Sequence, residues 1–224
     1  RRWTEAIEEM EKYLKHYPKS HFLVEGQVET GDLYLLLKNY SKALERYEWV
    51  IQNHPQHPLV KRAYLGAEEG ARHLGKVEQA EKILKEMMLK FPQDDLRFEG
   101  HLRLGLLYFS QKKPGEAISA LSIASQSPDD RIAGLAQLKM GEAHLEGGNR
   151  EAAFLQFSKV VYLYPNHPEV MEEALLRLGA LYLEGKKLSE ARQVYRKLLE
   201  KTKRDDRKEW AKKVLDQIDK GTIR

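Results

Sequence analysis

The residue types best suited to acid–base chemistry in this chain are adjacent carboxylates. They occur as the pairs Glu8-Glu9, Glu68-Glu69 and Glu172-Glu173. A general acid and a general base must flank the same bond, whereas neighbouring residues on a helix point about 100° apart. We therefore interpret these pairs as parts of solvated helix faces and not as catalytic residues.

Histidine is the second residue type that could do chemistry, because it recurs in a short phrase between prolines. His57 lies in Pro55-Gln56-His57-Pro58, and His167 lies in Pro165-Asn166-His167-Pro168. Neither phrase has a recurring carboxylate partner, so we favour a turn residue over a metal ligand. The chain contains no cysteine, which excludes disulfides, thiolate nucleophiles and thiolate metal sites and leaves the compartment open.

Motifs and composition point away from an enzyme. We find no G-x-S-x-G, no G-x-x-x-x-G-K-[ST] and no H-E-x-x-H sequence, so we predict no catalytic, cofactor-binding or metal-binding residues. Hydrophobic residues make up 42% of the 224 residues, and the net charge of +4 is concentrated in residues 201–224. The rest of the chain is nearly neutral, which argues against nucleic acid as a partner. The sequence has no run of about 18 apolar residues, so we predict no transmembrane segment.

The elements that would position any site show a long repeat. An alanine in a similar context returns every 36 to 38 residues, at Ala6, Ala43, Ala80, Ala117, Ala153 and Ala191. A glycine lies twelve residues before four of these alanines, at Gly31, Gly105, Gly141 and Gly179. A proline lies twelve residues after four of them, at Pro18, Pro55, Pro92 and Pro165.

Each period predicts two helices. The first carries the glycine, and the second carries the alanine with a bulky residue four positions later, such as Tyr47 or Phe157. Small residues at a helix crossing let the backbones approach closely, and the proline ends the second helix. In the turns Gly147-Gly148-Asn149 and Gly185-Lys186-Lys187, we expect glycine to supply the positive φ that ends the first helix.

This pattern resembles the tetratricopeptide repeat, with its L-G-x2-Y, A-x3-F and terminal proline elements. Leu104-Gly105 with Tyr108 and Leu178-Gly179 with Tyr182 match it most closely. The resemblance implies an all-α, right-handed α-α superhelix of about five and a half helix pairs and a capping helix, in one continuous solenoid. The predicted ranges are 1–18 for the second helix of a truncated repeat, 19–57, 58–95, 96–130, 131–167 and 168–205 for repeats, and 206–224 for the capping helix and tail.

The proline-bounded junctions lengthen the period beyond the usual 34 residues. Long-period repeats with such junctions resemble those of bacterial envelope proteins, namely the lipoprotein of the outer-membrane β-barrel assembly machine and the periplasmic partner of the Tol-Pal system. This resemblance implies a periplasmic or outer-membrane-associated protein within a bacterial envelope assembly. A cytoplasmic location is the alternative.

The resemblance also implies a concave groove, lined by the first helices, that binds a protein or peptide. The predicted groove residues are Asp32, Leu35, Leu36, Leu65, Glu69, Arg72, Leu102, Leu106, Phe109, Leu138, Glu142, Leu145, Glu146, Leu176, Leu183 and Glu184. They form an apolar surface with an acidic fringe, suited to a partner helix or apolar peptide with basic flanks. The alternative is that some of these leucines pack inside the stack.

The two ends carry apolar helical stripes. At the front, a helix is predicted from Trp3, Ile7, Met10 and Leu14, and it matches only the second half of a repeat. Either the first helix of that repeat has been lost by truncation, or another chain covers the apolar stripe. Head-to-tail self-assembly through this stripe is our alternative function. At the back, the stripe that begins at Trp210 predicts a capping helix, with contact to an anionic membrane as its alternative.

Overall fold

A computed structural model describes residues 2–222, which form helices joined by short turns and contain no strand. The helices are α1 (Arg2–His16), α2 (Leu23–Leu36), α3 (Tyr40–Asn53), α4 (Val60–His73), α5 (Val77–Lys90), α6 (Leu96–Ser110), α7 (Pro114–Ala124), α8 (Asp130–Glu146), α9 (Arg150–Leu163), α10 (Pro168–Glu184), α11 (Leu188–Lys201) and α12 (Asp205–Asp219). The predicted all-α fold is confirmed. None of the described helices is long and apolar enough to cross a membrane.

The chain divides into two compact units, the first ending at Gly100 and the second beginning at His101, within α6. In the first unit, each helix from α1 to α4 packs against the next helix along the chain. In the second unit, α7 to α11 do the same. The first helices of successive pairs also touch within each unit, α2 with α4 and α8 with α10.

Small residues sit where paired helices cross, and bulky side chains fill the space beside them. Ala43, Ala153 and Ala191 are fully buried. A Cβ atom added to Gly141 would lie 2.4 Å from the Phe157 ring, and one added to Gly179 would lie 2.4 Å from the Tyr195 ring. Only glycine leaves room for these rings, so the sequence interval of glycine and bulky residue becomes a helix crossing.

The turns inside the helix pairs share one hydrogen-bonding pattern, and it corrects our expectation for glycine. Gly148 has φ +77°, as expected, but Gly185 has φ −80° and Lys186 takes the left-handed conformation at φ +56°. The Lys187 N–H donates to the Tyr182 carbonyl over 2.8 Å. This hydrogen bond back to the helix requires the left-handed conformation at position 186, although a lysine and not a glycine occupies it.

The terminal helices bury their apolar stripes inside their own units. In α1, Leu14 and Met10 contact Gly26 of α2, and Ile7 and Leu14 are buried, whereas Trp3 remains 53% exposed. In α12, Ala211, Val214 and Ile218 belong to the same buried cluster as Tyr195 and Leu198 of α11. Most of the front stripe is therefore covered by this chain's own α2.

Candidate partner-binding surfaces

The predicted groove residues of the first unit lie on α2 and α4 with unequal exposure. Leu36 is 57% exposed and Arg72 is exposed, whereas Asp32, Leu35, Leu65 and Glu69 are half-buried. Asp32 is not available as a free anion, because it forms an ion pair with Arg62 over 2.5 Å and accepts a hydrogen bond from the Tyr47 hydroxyl over 2.7 Å. Burial, followed by this hydrogen bond, raises the pKa of Tyr47 far above its ordinary value.

In the second unit, the predicted leucines divide between the interior and the surface. Leu102 is 3% exposed and Leu138 is 4% exposed, and Leu138 belongs to the buried cluster around Phe157. Leu106, Phe109, Leu145, Leu176 and Leu183 are half-buried. The interior positions contribute to packing, so the half-buried positions are the ones open to a partner.

The predicted acidic fringe of the second unit is mostly paired within the chain. Glu142 is buried and forms ion pairs with Lys139 over 2.7 Å and with Arg177 over 3.1 Å. Glu184 forms an ion pair with Arg150 over 3.0 Å. Glu146 is exposed. The paired carboxylates Glu142 and Glu184 therefore connect helices. Each must lose its partner before it can bind another cation.

One open surface of the second unit is a cleft between α10 and α12, with a volume of about 450 Å³. We call it the α10–α12 cleft. Its apolar walls come from Leu176 and Ala180 of α10 and from Trp210 of α12. The Trp210 ring packs edge-on against Tyr195, with ring centroids 5.2 Å apart, and is 43% exposed.

The charged side chains around the α10–α12 cleft neutralise one another. Arg207 forms ion pairs with Glu172 over 3.1 Å and with Glu173 over 3.2 Å. Arg177 forms an ion pair with Glu173 over 3.2 Å. A hydrogen bond from Arg204 lowers the pKa of Asp206. The open chemistry of this cleft is therefore apolar.

The repeat register identified Leu176 as a groove residue but missed Trp210 as a surface residue of this cleft. Trp210 was assigned to the buried stripe of the capping helix, because it shares helical spacing with Val214 and Ile218. Trp210 lies at the start of that stripe, where its ring contacts Tyr195 and also lines the cleft.

The carboxylates and the histidine considered above for chemistry form ion pairs and hydrogen bonds within the chain. Glu68 bonds Arg72 over 3.1 Å, and Glu172 and Glu173 bond Arg207. His57 accepts a hydrogen bond from the Leu59 N–H within its turn. Within residues 2–222 we find no group of three or more His, Asp or Glu side chains that could hold a metal ion.

Comparison with known proteins supports this description of the fold. The tetratricopeptide-repeat family model matches residues 135–167 and 173–201. The crystal structure of MamA is 24% identical, covering 76% of this chain and 93% of that one, with a TM-score of 0.61. BtubC from P. vanneervenii is 14% identical, covering 88% and 86%, with a TM-score of 0.69. A search of curated proteins found no match.

A third structure, YrrB, is described as a tetratricopeptide protein with an unusual peptide-binding site. It is 16% identical, covering 91% of this chain and 97% of that one, with a TM-score of 0.60. These likenesses establish the fold, and the matched segments cover most of the helix pairs α8–α9 and α10–α11. Residues 135–167 and 173–201 are therefore tetratricopeptide repeats, and the chain is a protein with the tetratricopeptide-repeat fold.

Proposed function

We propose that this protein is an interaction scaffold that docks the apolar face of a partner helix or peptide in the α10–α12 cleft. The observation that carries the proposal is an exposed aromatic ring, Trp210, beside Leu176 and Ala180, where the surrounding charges are already paired. Tryptophan in a partly desolvated cleft is a strong anchor for a protein partner. The tetratricopeptide fold supports such a scaffold.

The partner's charge contributes to orientation more than to affinity. Glu146 is exposed and Glu184 is half-exposed beside Arg150. Basic flanks on the partner would meet Glu146 at the end of α8 directly, and would meet Glu184 at the end of α10 by displacing Arg150. The buried Glu142 would remain bound to Lys139 and Arg177.

A binding role without catalysis is part of the same proposal. Proteins of this fold generally serve as non-catalytic scaffolds, and the carboxylate pairs of this chain are engaged in ion pairs or lie on exposed faces. The peptide-binding site named for YrrB supports a peptide as the partner class.

We place the scaffold in a bacterial envelope assembly, as the proline-bounded junctions suggest. The support is the pair of phrases at residues 55–58 and 165–168. Fractionation of cells that express the full-length gene tests this location. Recovery in the periplasm or outer membrane supports it, and recovery in the cytoplasm alone contradicts it.

The docking proposal is tested with an amphipathic Leu-Lys helical peptide, read by tryptophan emission. Ala180 is exposed, so Ala180→Arg obstructs the cleft without removing a core side chain, and we expect about tenfold weaker binding. Gln193→Arg, on an exposed position of α11, is the matched control. Trp210→Phe identifies the responding ring. Equal affinity for the native chain and Ala180→Arg would exclude the α10–α12 cleft as the binding site.

A further inference from the structure

A second cleft in the same unit lies between α9 and α11 and shares no lining residue with the α10–α12 cleft. We call it the α9–α11 cleft, and its volume is about 490 Å³. Val161 of α9 and Leu178 of α10 form its floor, and Tyr162 and Leu163 form its rim. None of these residues is needed by the function proposed above.

The rim of the α9–α11 cleft exposes large apolar side chains. Tyr162 is 83% exposed and Leu163 is 53% exposed. Leu155, at 52% exposure, precedes Tyr162 by seven residues, so the two lie on one face of α9. Contiguous exposed apolar surface next to a cavity is typical of a protein-binding site.

The charges at the α9–α11 cleft have one sign. Among the described residues that line it, Lys159 on α9 and Lys197 on α11 carry charge, and they approach from the two helices that form its walls. Within residues 2–222, neither ammonium group has an ion-pair partner. Two unpaired cations beside an apolar floor are complementary to an apolar segment with flanking carboxylates.

We propose that the α9–α11 cleft binds an acidic amphipathic segment of a partner protein. Apolar side chains of that segment pack on Val161, Leu178 and the Tyr162 ring. Its carboxylates pair with Lys159 and Lys197, one on each side. Two lysines provide too little positive charge to track a phosphate backbone, so the observations favour a peptide over nucleic acid.

The test measures fluorescence anisotropy of a labelled Leu-Glu amphipathic peptide with the full chain. We expect the double variant Lys159→Glu and Lys197→Glu to bind at least about tenfold more weakly, with a binding constant that depends on salt. The double variant Lys15→Glu and Lys19→Glu changes the net charge equally at exposed positions of the first unit and should change affinity less than about twofold. Equal losses in both double variants would overturn the proposal.

Two further variants keep the result specific. Tyr162→Ser changes an exposed side chain, so circular dichroism should show unchanged folding while affinity for the acidic peptide falls. Ala180→Arg should leave this affinity unchanged, and a loss there would move the peptide to the α10–α12 cleft and overturn this inference alone. Binding to phosphatidylglycerol vesicles without binding to the peptide would assign the surface to a membrane and also overturn it.

Discussion

The α9–α11 cleft of the second unit has a counterpart in the first unit, between α3 and α5, with a volume of about 400 Å³. In the alanine register, Trp49 stands where the second unit has Lys159, and Glu86 stands where it has Lys197. The α3–α5 cleft is lined by both signs of charge, including Glu48, Lys82 and Glu86. Gln79 also donates a hydrogen bond to Glu48 over 2.6 Å, which joins α3 to α5.

The two clefts differ although α3 and α9, which each form one wall, carry buried aromatic side chains at equivalent positions. Tyr47 and Phe157 are both fully buried against crossing glycines. Burial restricts these two residues, because a cavity or a clash at a helix crossing is costly, whereas residues at the rim of each cleft are free to differ. The repeat therefore determines the position of a cleft, while the charge of its rim varies from one unit to the other.

The largest expected effect comes from removing either of these two buried aromatic side chains. Phe157→Ala and Tyr47→Ala should each lower the free energy of unfolding by about 3–5 kcal/mol, because both side chains are fully buried. Urea unfolding followed by circular dichroism measures this loss, and Leu155→Ala at an exposed position should cost less than about 0.5 kcal/mol. A large loss in only one unit would contradict the equivalence of the two positions.

The second effect depends on pH and comes from the buried Tyr195. Burial raises the pKa of Tyr195 from 10.0 to about 12. The folded state therefore keeps a proton that the unfolded state releases, so this contribution is complete below about pH 10 and is lost as pH rises to about 12. The loss is about 2–3 kcal/mol and should be smaller in Tyr195→Phe.

At neutral pH, phenylalanine substitutions of two buried tyrosines, Tyr47 and Tyr195, should differ in effect. Tyr47→Phe loses the hydrogen bond to Asp32 and should cost about 1 kcal/mol. The Tyr195 hydroxyl has no hydrogen-bond partner within the described residues, so Tyr195→Phe should change the unfolding free energy at pH 7 by less than about 0.5 kcal/mol. An identical alkaline loss in the native chain and Tyr195→Phe would refute the assignment.

A smaller effect, on peptide binding, is expected from giving the α3–α5 cleft two of the rim residues of the α9–α11 cleft. Gln52 and Glu86 are exposed, and they occupy the positions of Tyr162 and Lys197. The double variant Gln52→Tyr and Glu86→Lys should bind the acidic Leu-Glu peptide within about tenfold of the native affinity, raising the stoichiometry in calorimetry from one to two. Gln52→Tyr with Glu86→Gln is the control, and an unchanged stoichiometry would contradict the charge argument.

The smallest effect concerns the turns, where lysines as well as glycines of both units take the left-handed conformation. Lys38 has φ +58° and Gly75 φ +71° in the first unit, and Lys186 has φ +56° and Gly148 φ +77° in the second. Lys38→Gly and Lys186→Gly should each raise the free energy of unfolding by about 0.5–1 kcal/mol, whereas Gly148→Ala should lower it by a similar amount. Thermal unfolding checks these signs, and a loss on Lys186→Gly would show that its side chain contributes more than its backbone strain costs.

The sequence supported a detailed prediction of the helix pairs and a weaker one of the partner surface. The alanine and glycine intervals predicted the crossings at Gly141 and Gly179 because a helix crossing tolerates few residue types. The same register put Leu102 and Leu138 on the groove side, and the structure buries both. Helical spacing identifies a face but cannot say which neighbouring helix covers it.

Composition and spacing alone therefore determined that this chain is all-helical, that it repeats, and which residues lie at the crossings, since these depend on backbone period and side-chain volume. Tertiary structure decided which carboxylates are neutralised, that Trp210 faces a cleft, and that Lys159 and Lys197 meet at one site although 38 residues separate them. Such encounters depend on how helices distant in sequence are packed, and no local pattern contains that information.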